Sequence, residues 1–154
     1  MTGLVPFLLR YDADTLRRST KGSITGNLYV ELGTFVFPDR GWSDFVVVIL
    51  GWWLEALSRL IDDNRVAELE FMDGPYAMRA TAVDLSTCTL ECLQKAGAAI
   101  VLSKASVDVA QMFRETQQVA AQLVKACDAR SWRSPDVDAL KKLLTRPTSR
   151  LRRH

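Results

Sequence analysis

Ten consecutive uncharged residues, Phe45 to Leu54 (FVVVILGWWL), would be apolar all the way round if they form a helix. A helix of that kind has to be surrounded by other elements. The stretch is too short for a bilayer, which needs about 20 such residues, so it predicts a central core helix. From Leu54 onward the pattern narrows: Leu54, Leu57, Leu60 and Ile61 form one stripe while Glu55, Ser58 and Arg59 face away. The turn Pro38-Asp39-Arg40-Gly41 precedes it, and Ser43 or Asp44 supplies a capping oxygen for a start near Phe45. Val46, Val47 and Val48 favour strand by intrinsic propensity, so a strand running into a shorter helix from Gly51 is the competing reading.

Around this helix the pattern alternates between strand and helix periods. Leu4 to Leu9 reads as a first strand, followed by a polar loop over residues 12 to 23. Leu28, Val30 and Leu32 alternate with Tyr29 and Glu31, and Gly33 shifts the phase before Phe35 and Phe37. Asp62-Asp63-Asn64 closes the core helix, with Asn64 suited to a left-handed C-cap. Val66 to Met72, the turn Asp73-Gly74-Pro75 and Tyr76 to Val83 predict a hairpin. Thr87 to Leu93 and Ala98 to Leu102 add two strands. Helical spacing returns with Val109, Phe113, Ala120, Leu123, Val124 and Cys127 behind a cap at Ser106. Ser134-Pro135-Asp136 announces a last helix buried through Val137, Leu140 and Leu144, which Pro147 stops. The expected fold is α+β: a mainly antiparallel sheet of about five or six strands with three helices packed chiefly on one face. Residues 1 to 146 form a single domain in this reading, and 147 to 154 a basic disordered tail.

Function is constrained first by what is missing. The one histidine is His154, so catalytic triads, histidine bases and nearly all zinc sites lack their imidazole. Cys88, Cys92 and Cys127 are read as buried thiols. GSITG at 22 to 26 lacks the lysine and spacing of a phosphate loop. Neither a metal nor a cofactor is expected, and no catalytic residue is assigned. The start, MTGLVPFLLRY, lacks the basic residue and long apolar run of a secretory signal, which with the odd thiol count predicts a cytoplasmic protein. Six of the 20 basic residues fall in 141 to 154 without an acid, leaving 14 bases against 18 acids elsewhere, a net of −4. A body of that sign argues against nucleic acid as the partner.

The densest local charge lies between positions 62 and 73, where Asp62, Asp63, Glu68, Glu70 and Asp73 face one base, Arg65. Their ordinary reading is a helix end and a solvated strand face. The functional reading is an acidic surface for a basic partner. Trp52 and Trp53, about a hundred degrees apart on a helix, are both assigned to the core on the strength of their apolar neighbours.

The stretches FVFPDRGWSDF, VVVILGWWLEAL and LEFMDGPY, within about residues 28 to 84, resemble bacterial immunity proteins of polymorphic and contact-dependent growth inhibition toxin systems. The resemblance implies a non-catalytic protein that binds the C-terminal domain of a cognate toxin, a nuclease among the candidates, and blocks it. It carries over no toxin-contact residue. Two other readings stay open: a regulatory or nucleic-acid-binding module using the basic C-terminus, and a histidine-free enzyme using Glu68, Glu70 or Asp73.

Overall fold

The computed structural model describes residues 3–62 and 65–146. The fold is α+β, and its strands pair antiparallel throughout. In place of one sheet of five or six strands there are two sheets of four. In the first, β1 (Phe7–Arg18) pairs with one side of β2 (Ile24–Leu32), while β3 (Phe35–Phe37) and β4 (Ser43–Asp44) take the other side. In the second, β5 (Val66–Glu70), β6 (Tyr76–Ala82), β7 (Thr87–Gln94) and β8 (Ile100–Asp108) follow one another in order.

Three sequence expectations change here. The polar stretch from residue 12 is not a loop: β1 starts at Phe7 and continues to Arg18, with its register against β2 slipping between Asp12 and Arg17. Side chains fill the irregularity. The Asp14 amide donates to Asp12 Oδ1 at 3.0 Å, and Thr15 Oγ1 accepts from the Asn27 amide at 2.9 Å. Such a bulge breaks the two-residue alternation by which a strand is recognised. At the other end, β8 extends past Leu102 to Asp108, so the cap of the following helix is Asp108, not Ser106. Asp108 accepts from the Gln111 amide at 2.8 Å. The core helix also begins one step later than its proposed cap, because the Phe45 carbonyl takes the first helical bond, from Ile49. Asn64, Pro147 and the basic tail lie outside the described residues.

The hairpin of β5 and β6 holds, as does the core helix, α1 (Val46–Asp62), valines included. Strand propensity loses because burial on several sides outweighs it. α1 packs against β2, β5 and both other helices, α2 (Val109–Ala129) and α3 (Pro135–Thr145). α3 starts at the Ser134 cap, whose Oγ accepts from the Val137 amide at 3.1 Å. One hydrophobic cluster runs from Phe7 to Leu140 through all three helices and both sheets.

The helices also cover strand edges, which would otherwise expose unpaired backbone groups. Gln111 on α2 binds both the amide and the carbonyl of Phe7, at 2.9 and 2.7 Å, and Glu115 one turn on accepts from the Leu9 amide at 3.0 Å. On the second sheet, Trp53 Nε1 of α1 donates to the Glu70 carbonyl at 2.8 Å. Phe71 points its backbone amide at β6, so Glu70, one residue earlier, presents its carbonyl to the opposite edge.

Asp44, only 1% exposed, joins these parts. Its carboxylate accepts from Phe45 N at 2.7 Å, Trp42 Nε1 at 3.0 Å, Met72 N at 3.1 Å and Asp73 N at 3.1 Å. Aromatic rings surround it: Trp42 meets Tyr76 edge-on at 5.3 Å, and Phe37 meets both Phe71 and Tyr76 at 5.7 Å. Gly74, at φ +123°, leaves room for Trp42, since a Cβ there would sit 2.9 Å from the indole. The stretches that carried the family resemblance thus fold into one cluster bridging the first sheet, the start of α1 and the β5–β6 turn.

Asp44→Ala would leave four buried or partly buried N–H groups without their acceptor, and is expected to cost about 3–5 kcal/mol. Trp42→Phe, which removes one donor and part of the indole lying over Gly74, should cost less, about 1–2 kcal/mol; urea unfolding of both variants checks the order. A second carboxylate, Asp84, holds the β6–β7 turn by accepting from the Ser86 and Thr87 amides at 2.9 and 2.8 Å. These bonds, that from the Ser86 amide foremost, pull its pKa down to about 2. Its folded-state value lies below the unfolded one, so its stabilisation is complete above about pH 4 and fades as pH falls towards 2. The stability gap between wild type and Asp84→Ala, followed by urea unfolding from pH 5 to pH 2, should therefore narrow on acidification.

Candidate functional site

Of the five acids singled out from the sequence, the structure brings two together. Glu68 and Glu70 are both reached by Lys95 Nζ, at 3.4 and 3.5 Å, and Glu68 also accepts from Arg79 Nε at 2.9 Å. Asp62 is exposed at the end of α1, and Asp73 sits in the β5–β6 turn with its own amide committed to Asp44. Asp63 lies outside the described residues. The count of five acids against Arg65 also overstates the charge, because Arg79 and Lys95 arrive from β6 and the end of β7. Strand pairing, not sequence proximity, places them there.

Glu68 and Glu70 form one side of a groove of about 360 Å³. α1 contributes Val47, Val48, Gly51, Trp52, Glu55, Ala56 and Arg59, and α3 contributes Asp136, Ala139, Leu140 and Leu143. The α1 residues recur at helical spacing, so a continuous stripe of that helix lines the groove. Four carboxylates line it, and three of them are ion-paired, Glu55 with Arg59 at 3.5 Å and Glu68 and Glu70 with Arg79 and Lys95; Asp136 has no ion pair among the described residues. A second hollow of about 220 Å³ shares Val47, Val48 and Asp136 and extends to Met72.

Trp52 corrects the assignment of both tryptophans to the core. Trp53 is fully buried, whereas Trp52 is 45% exposed on the groove; Met72, 47% exposed, lines the adjoining hollow. The hundred-degree offset between neighbours was the available signal; apolar surroundings in sequence hid which of the two would turn outward. Glu55 and Asp136 were also missed, because only the packing of α1 beside α3 brings them to the same hollow.

The thiols behave as expected of core groups. Burial pushes Cys88 and Cys92 up to about 12 and also raises Cys127, which suppresses thiolate at neutral pH. Cys88 and Cys92 stand four residues apart on one strand, about 13 Å, too far for a disulfide. Among the described residues there is no group of three or more His, Cys, Asp or Glu able to hold a metal ion, and no helix long and apolar enough to cross a membrane.

A Cβ at Gly51 would meet only Leu143 Cδ1, at 3.9 Å, an ordinary contact. Gly51→Ala should therefore raise stability by about 0.5–1 kcal/mol through helix propensity, with the gain read from the urea midpoint. Comparison of the chain with protein-family models, curated proteins and solved structures finds no match.

Proposed function

We propose that this chain is a non-catalytic immunity protein that binds the C-terminal domain of a cognate bacterial toxin in the cytoplasm and blocks it. The observation that carries this reading is an exposed tryptophan on a carboxylate-lined groove. Tryptophan is the residue type most often found at binding hot spots, and clustered acids speed the encounter with a basic protein. The resemblance to immunity proteins supports the same reading from the sequence side. Glu68 and Glu70 stay as contact residues, joined by Trp52, Glu55 and Asp136. Asp62, Asp63 and Asp73 rank behind them as outer contacts.

Expression of the toxin gene adjacent to this one, with and without the chain, tests the function. Growth should be restored by the wild type, the two proteins should coelute on size exclusion, and Trp52→Ala should weaken the complex at least tenfold while unfolding normally in urea. Equal killing in both cultures together with no complex rejects the proposal.

A further inference from the structure

We infer that the groove between α1 and α3 receives a basic amphipathic helix of the partner protein. This rests on the partner-binding reading above and names the chemistry of the bound segment.

The walls of the groove decide against an extended segment. A bound strand draws affinity from backbone bonds to a free sheet edge. Most of the wall is α1 and α3, which satisfy their backbone groups internally, and on the outward edge of β5 the Glu70 carbonyl is occupied by Trp53 Nε1 at 2.8 Å. An occupant lying along these two helices finds no backbone partners there and has to arrive with its own backbone satisfied, as a helix does. The trough suits one. From Val47 to Arg59 it follows α1 for about 18 Å, and Gly51, Ala56 and Ala139 keep it shallow-walled enough for close helix approach. Trp52, exposed on the groove, and Met72, exposed on the adjoining hollow, supply apolar anchors.

Charge fixes the flanks of that helix. On the β5 side, Glu70 is 55% exposed and shares Lys95 with Glu68. On the α3 side stands Asp136, for which no ion pair is present among the described residues. An occupant therefore presents an apolar ridge with lysine or arginine on both sides, arginine being favoured beside Trp52 because its guanidinium stacks on an indole.

Three labelled synthetic 16-residue peptides test this by fluorescence anisotropy on the full chain. One has a leucine-alanine ridge flanked by arginine and lysine, the second has the same ridge flanked by glutamate, and the third scrambles the first so that its ridge is lost. The first should bind at least tenfold more tightly than either of the others and weaken with salt. Gly51→Leu, which fills the trough, and the pair Glu70→Arg with Asp136→Arg, which inverts its flanks, should each lower that binding at least tenfold while circular dichroism and the melting temperature show a folded protein. Equal binding of all three peptides, or binding unaffected by both sets of substitutions, overturns the inference. So does a dimer on sedimentation that Gly51→Leu dissolves, since the groove would then be a self-interface. Toxin neutralisation that survives both sets of substitutions rejects the groove while leaving the function standing; selective binding of the basic helix without toxin rescue rejects the function alone.

Discussion

A buried carboxylate holds this fold together at the point where its parts meet. Asp44 ends β4 just ahead of α1, and its oxygens gather N–H groups from Trp42, Phe45, Met72 and Asp73. A charge out of water is tolerable only when its lone pairs are filled. Here they are filled from three directions, and the positive end of α1 lies beside it. The first sheet, the core helix and the first turn of the second sheet therefore cannot be positioned independently.

What Asp44 fixes at one end, α1 extends through the interior. The helix touches both sheets and both other helices, and its Trp53 indole binds the Glu70 carbonyl on the outer edge of β5. α2 treats β1 in the same way through Gln111 and Glu115. These polar side chains are more specific than a greasy face: each must meet a particular backbone group, so they set where along the strand the helix lies. The groove is a by-product of that positioning, left between β5 and the place where α3 leans on α1.

Legibility in the sequence followed how local each determinant is. The α1 segment, the hairpin after it and the Ser134 cap were readable because residues within one or two turns decide them. The second half of β1 was not, since a bulge there shifts the register and Thr15 answers to the Asn27 amide on the neighbouring strand. The division into two sheets was equally hidden, as strand partners are a long-range matter. For the site, Glu68 and Glu70 could be found from charge density alone. Their neutralising partners, Arg79 and Lys95, and their companions, Glu55 and Asp136, could not, because each is brought in by a different element. Trp52 was misplaced for a related reason: runs of apolar residues report that a helix is central but not which of its sides is left uncovered.

Trp52 and Trp53 divide one helical turn between two tasks. The inner indole holds a strand, and the outer one makes none of the bonds that hold β5 or the Asp44 junction. Mutations along the outer stripe of α1 are accordingly free to alter what the surface recognises at little structural expense, whereas those at the junction are not. Lineages descended from such a scaffold would drift fastest where they meet another molecule and slowest at the short acidic knot that ties the sheets to the helix.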